Sequence, residues 1–149
     1  MKLGCDIHGY WEMRNTDGIW VAFREVNFMR SYAWFSIIAD VRTGGPRKSD
    51  HPTAHRGIPK DASAAWQTYT KPDGLHSHTW LTYDEVKKAN HRMMKQVETL
   101  PSLEDELEQI FIAGPAGAPS HLPWFGKLSE VVGDQPLNDC LRFVVAFDN

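Results

Sequence analysis

Cys5-Asp6-Ile7-His8 places a thiol, a carboxylate and an imidazole within four residues of one another. The run reads as a β-strand, and side chains alternate between the two faces of a strand. Asp6, His8, Tyr10 and Glu12 therefore share one face, while Leu3, Cys5, Ile7, Trp11 and Met13 form the apolar one. The polar stripe offers metal ligands, a general base and a phenol on a single surface. Residues two apart on a strand lie about 6–7 Å apart at Cα, so Asp6 and His8 can reach one divalent ion, as in many hydrolytic sites. The same pair on the solvent face of a hairpin needs no function.

A second constellation is His76-Ser77-His78-Thr79. In an extended chain His76 and His78 share one face and Ser77 and Thr79 the other. Two imidazoles at that spacing suit zinc if Asp6 and His8 complete the set. Alternatively His76 is a general acid or base, because imidazole titrates near neutrality, or the segment is simply a polar lead into a helix cap. Arg30 and Arg42 bracket a predicted helix, and Arg47 and Arg56 fall in the loop beyond it. Guanidinium groups converging on a cleft suit phosphate or carboxylate. Lys88, Arg92 and Lys95 share a helical face that either meets a phosphate backbone or is merely solvated. Glu104, Asp105, Glu106 and Glu108 complement the dipole at a helix start. The sequence carries no phosphate-binding glycine loop, G-x-S-x-G, C-x-x-C or H-E-x-x-H, which removes the best-marked nucleotide-binding, serine hydrolase and zinc protease readings.

The elements that must hold these groups follow from patterning. Residues 4–14 and 19–26 read as a hairpin across Asn15-Thr16-Asp17-Gly18. Ile19 to Phe23 is apolar on both faces, which suggests a central strand. Tyr32, Phe35, Ile38 and Ala39 recur at helical spacing over 28–42, and Gly44-Gly45-Pro46 stops that helix. Residues 43–60 form a long loop, either a binding loop or a mobile insertion. A short helix starts near Asp61, capped by Asp61 or Ser63. Lys71-Pro72-Asp73-Gly74 turns the chain into extended residues 76–81. Thr82 and Glu85 make a capping box for a helix running to about Glu98, and another helix spans 103–113. Leu141 to Phe147 closes the chain as a hydrophobic strand able to pair inside the sheet.

The 149 residues suit one domain with a real core, and 42% hydrophobic with 23% charged residues argues against disorder. A net charge of −3 gives no general attraction to nucleic acid. Cys5 and Cys140, both expected in strands, are read as buried cytosolic thiols rather than a disulfide framework. No leader or spanning run stands out, so the expectation is a soluble, cytoplasmic protein with no membrane partner. The fold expected is α+β: an antiparallel sheet from the N-terminal hairpin and C-terminal strand, packed on three or four helices.

Gly4-Cys5-Asp6-Ile7-His8 with Glu12 resembles the opening signature of a family of small, uncharacterised bacteriophage and bacterial proteins. Similar too are Arg30-Ser31-Tyr32 with Phe35 and Arg42, the run from Arg56 to Ser63, His76-Ser77 with Trp80-Leu81-Thr82, and Phe147-Asp148-Asn149. The resemblance spans nearly the whole chain and implies a phage or prophage origin, cytoplasmic in the host. It favours His76 over His78, with Asp61 and Asp148 as further carboxylates. The resulting expectation is a phage accessory protein, a metal-assisted hydrolase of a nucleotide or other phosphorylated substrate. Asp6, His8 and His76 would hold zinc, manganese or magnesium, with His76 and Asp61 catalytic. Arg30, Tyr32, Arg42, Ser77 and Trp80 would bind substrate. The alternative is a non-catalytic protein that sequesters a nucleotide signal or a host protein.

Overall fold

The computed structural model describes residues 4–25, 32–41, 52–94 and 133–148. Its centre is a four-stranded antiparallel sheet in the order β2-β1-β4-β3. The strands are β1 (Asp6–Arg14), β2 (Trp20–Glu25), β3 (His76–Thr82) and β4 (Leu141–Asp148). Four helices accompany it among the described residues: α1 (Tyr32–Ala39), α2 (Ala64–Tyr69), α3 (Tyr83–Met94) and the short α4 (Leu137–Cys140). The α+β architecture, with the hairpin and the C-terminal strand in one sheet, is the one the patterning predicts.

β1 pairs with β4 over its length, from Asp6 opposite Asp148 to Met13 opposite Leu141. Alternation then sorts side chains onto two faces. Trp11, Met13, Phe143, Val145 and Phe147 join Phe35 and Ile38 of α1 and Val86 of α3 in the larger apolar core. Tyr10, Ala22, Val144 and Ala146 pack against Trp66 of α2 in the smaller one. The strictly alternating pattern of β1 needs both faces covered, and the two helical layers supply that cover.

β2 lies at the end of the strand order rather than in the centre. Its apolar residues face both ways because a core covers each side: Phe23 enters the larger one and Ala22 the smaller. The turn before it forms as expected. Gly18 adopts φ 81°, and the Asn15 side chain accepts hydrogen bonds from the Asp17 and Ile19 amides at 3.0 Å each.

α1 ends earlier than periodicity suggests, at Ala39. Asp40 takes φ 57° and the Val41 amide donates back to the Phe35 carbonyl at 3.1 Å, closing the helix with a left-handed residue. Gly44-Gly45-Pro46 lies outside the described residues, as do the remainder of α1 as drawn from sequence, residues 95–98 and the helix expected over 103–113. The described end of the 43–60 loop is packed: Thr53 is buried and its hydroxyl donates to the Ile38 carbonyl at 2.6 Å. The capping box of α3 is present, with the Thr82 amide donating to Glu85 Oε1 at 3.0 Å and the Glu85 amide to Thr82 Oγ1 at 3.4 Å. Cys140 sits in α4, not a strand, and Cys5 lies at the other end of the β1–β4 pair. Both thiols are buried, and neither forms a disulfide among the described residues. Among the described residues no helix is long and apolar enough to cross a membrane.

Gly9 shows how closely β1 and β4 approach, since a Cβ there would lie 2.0 Å from the Val144 carbonyl oxygen. Replacing it with any side chain must push the two central strands apart. Gly9→Ala is expected to lose about 1–3 kcal/mol of stability by urea denaturation. A midpoint equal to that of the wild type would contradict the register described.

Candidate functional site

The β1–β4 register sets His8 opposite Ala146, one residue before Phe147 and two before Asp148. His8 Nε2 lies 2.8 Å from Asp148 Oδ2, and His8 Nδ1 lies 2.7 Å from the Tyr69 hydroxyl. The other Asp148 oxygen accepts the Asp6 amide at 3.2 Å. A carboxylate only accepts, so Nε2 carries the proton that it receives. A neutral His8 must then accept the Tyr69 proton at Nδ1. The result is one chain, Tyr69 to His8 to Asp148, with every donor and acceptor matched. The His8 and Asp148 side chains are 27% and 20% exposed, so the chain lies within reach of solvent.

Local sequence explains why Tyr69 is there. Ser63 caps α2 by accepting the Trp66 amide at 3.3 Å, while its own amide donates to Glu12 Oε2 at 2.7 Å. That fixes the start of the helix over β1. One turn on, Tyr69 stacks on the fully buried Trp66, with ring centres 5.7 Å apart and planes 13° from parallel. Tyr10 meets both rings edge-on, at 6.1 Å and 6.0 Å. Burial raises the Tyr69 and Tyr10 phenols above their ordinary value, and the negative charge of Glu25 adds to the rise in each. Asp148 pushes Tyr69 the same way. Tyr69 therefore keeps its proton at neutral pH and enters the chain as a donor.

The other sequence-selected residues lie elsewhere. Asp61 is an ion-pair partner: Arg142 Nη1 donates to its Oδ1 at 2.8 Å and Nη2 to its backbone carbonyl at 3.2 Å. Arg142 Nε donates in turn to the buried Glu12 at 2.6 Å, and its guanidinium carbon lies 3.9 Å from the Trp20 ring centre. For Asp61, burial raises the pKa, but the Arg142 hydrogen bond and charge outweigh it and leave the carboxyl below its usual value. Glu12, the residue that anchors this group to β1, stands four positions from His8, about 13 Å along the strand.

His76 is paired with Phe147, and their ring centres are 6.4 Å apart. His8 is paired with the adjacent Ala146. Neighbours on a strand face opposite ways, so His76 and His8 lie on opposite faces. The cause is a bulge: β3 spends three steps from His76 to Thr79 while β4 spends two from Phe147 to Val145. Ser77 takes φ 55° there, and its hydroxyl lies 2.9 Å from His76 Nδ1. The extra residue puts His78, not His76, on the face of Ala146 and His8. His78 Nε2 is buried without a hydrogen-bond partner among the described residues, and burial, then the charge of His76, lowers its pKa.

Asp6, His8 and His76 therefore do not converge. Among the described residues no three His, Cys, Asp or Glu side chains group with metal-ligand spacing. Both His8 nitrogens already have partners, and a metal ion there must displace one. Tyr32 accepts the Cys5 amide at 3.3 Å and packs on Phe35, toward the larger core. Trp80 lies on the His8 face, with the Arg56 guanidinium 4.7 Å from its ring centre and Glu85 holding Arg56 through both oxygens. Arg30, Arg42 and Arg47 lie outside the described residues. Tyr69 is the member that sequence reasoning overlooked. Its spacing of three from Trp66 marks one helical face, but nothing in the pattern says which strand that face covers.

A phenol with a raised pKa binds its proton more tightly in the folded state than in the unfolded chain. Stability is then lost as pH rises above the ordinary tyrosine value of 10.0 toward the folded-state value. We expect a fall in the urea midpoint above about pH 10 that is shallower in Tyr69→Phe. Identical alkaline limbs in the two proteins would contradict the burial and charge assigned to this phenol.

Comparison with protein-family models, with curated proteins and with solved structures gives no match to this chain.

Proposed function

We propose that the protein is an acid–base enzyme, specifically a hydrolase, in which Tyr69, His8 and Asp148 move a proton. The observation that carries this reading is the continuous hydrogen-bonded chain from phenol to imidazole to carboxylate, open to solvent at its centre. An orienting carboxylate, an imidazole and a hydroxyl in series are the recurring parts of hydrolytic sites. Here Tyr69 passes its proton to His8 Nδ1 as it takes one from water or a substrate hydroxyl. Asp148 fixes the His8 tautomer and stabilises the imidazolium that forms, and the proton returns to the leaving group. Tyr69 is too firmly protonated at neutral pH to be the attacking nucleophile itself.

The chain completes its proton transfer without a metal ion, since His8 uses both nitrogens within the protein. A small nucleotide or other phosphorylated compound is the substrate class to test first, with Trp80 on the same face as a surface for a base. The cytoplasmic, phage-related accessory role belongs to this same proposal.

The test is a ³¹P NMR and colorimetric panel: p-nitrophenyl phosphate, its bis-ester, and nucleoside mono-, di- and triphosphates, without and with added Zn²⁺, Mn²⁺ or Mg²⁺. Wild-type turnover is expected, reduced about 10²–10⁴-fold in His8→Gln and Tyr69→Phe while both variants remain folded. No turnover by the wild type, or equal turnover in His8→Gln, would defeat the proposal. Thermal stabilisation by a nucleotide with no turnover would instead favour the sequestering protein.

A further inference from the structure

At the opposite end of β1 from His8 is an open groove of about 520 Å³, lined by Arg14, Asn15, Thr16, Gly18, Asp134 and Gln135. Its size lies within the range of small-molecule sites. Arg14 and His8 are six residues apart on one strand, about 20 Å, so the groove is separate from the Tyr69–His8–Asp148 chain.

Arg14 is held in place from two sides. Its Nε donates to Gln135 Oε1 at 3.1 Å, and Gln135 Nε2 donates back to the Arg14 carbonyl at 2.9 Å. The guanidinium carbon is 5.9 Å from the Trp20 ring centre. With Nε engaged, the two terminal nitrogens are the free edge of the fork, and neither has a hydrogen-bond partner among the described residues. Asp134 lines the same groove, yet it forms no ion pair with Arg14 among the described residues. The turn that makes one wall is fixed by the Asn15 side chain, which accepts both the Asp17 and Ile19 amides. A positioned cation and an anion thus line one groove without meeting.

We propose that this groove is a second binding site, for a small ligand that carries an oxyanion against Arg14 and an amine or hydroxyl against Asp134. The terminal edge of a guanidinium matches carboxylate and phosphate oxygens two at a time. Gln135 and Trp20 remove most of the rotamer freedom that binding otherwise costs, which is the benefit of a preorganised side chain. Asp134 disfavours a bare anion and favours a partner group that donates.

The test uses ¹⁵N NMR of the full-length protein at constant ionic strength, titrated with inorganic phosphate and separately with phosphoethanolamine. Saturable shifts are expected at Arg14 Nε–H and at the Thr16 and Gly18 amides, with tighter binding of phosphoethanolamine. Arg14→Gln should weaken phosphoethanolamine binding about tenfold or more. Arg14→Lys, which keeps the charge but not the fork, should weaken it too. Asp134→Asn should erase the preference over phosphate, and His8→Gln should change nothing. Unsaturable shifts, or shifts that survive Arg14→Gln, would overturn the proposal.

Discussion

The pairing of β1 with β4 is the constraint on which the rest of the molecule depends. It joins residues 6–13 to residues 141–148, across nearly the whole sequence. That single register places Asp148 beside His8, Arg142 beside Glu12 and Phe147 beside Ile7. Gly9 marks how closely the strands approach, for the Val144 carbonyl occupies the space a side chain would need. A slip of one residue would reverse the faces. Slipping β1 would put the Glu12 charge against the apolar core, slipping β4 would put the Arg142 charge there, and either would break the imidazole–carboxylate bond.

The two faces of the sheet do different work. The face covered by α1 and α3 is almost wholly apolar and gives the domain most of its hydrophobic burial. The face covered by α2 is mixed, and among the described residues its buried charged groups are matched, while the Trp66 and His78 ring nitrogens Nε1 and Nε2 are not. Glu12 is fully buried, a costly place for a charge, and it is answered by Arg142 and by the Ser63 amide. These contacts hold the N-terminal end of α2 while Tyr69 ties its C-terminal end to His8. A helix of six residues has little stability alone, so α2 keeps its place through bonds at both ends and through Trp66 between them. The site is therefore built on the two central strands and one doubly anchored helix, a rigid base for positioned proton transfer.

Much of this was legible in the sequence. Alternation in β1 assigned Asp6, His8, Tyr10 and Glu12 to one face, and the hydrophobic run at 141–147 announced a strand fit for the interior. The Thr82–Glu85 capping box was readable because capping is local chemistry, and the same chemistry narrowed the α2 cap to Asp61 or Ser63, of which the structure uses Ser63. What failed was nonlocal. Two-sided apolarity in β2 came from coverage by two cores, not from a central position. The His76–His78 alternation was undone by the Ser77 bulge, a one-residue irregularity with no glycine to signal it. Asp61 is a carboxylate near a helix start, and no periodicity announces that Arg142, 81 positions away, holds it. Tyr69 carries no motif, and only the docking of α2 onto β1 makes it a partner of His8.

The most direct test of the central claim is the protonation of the His8 ring. In long-range ¹H–¹⁵N NMR of the full-length protein near neutral pH, Nε2 should be protonated and Nδ1 bare, in a single fixed tautomer. The Nδ1 resonance should move in Tyr69→Phe and the Nε2 resonance in Asp148→Asn. A ring protonated at Nδ1 alone, or one averaging between tautomers as free imidazole does and indifferent to both substitutions, would contradict the account.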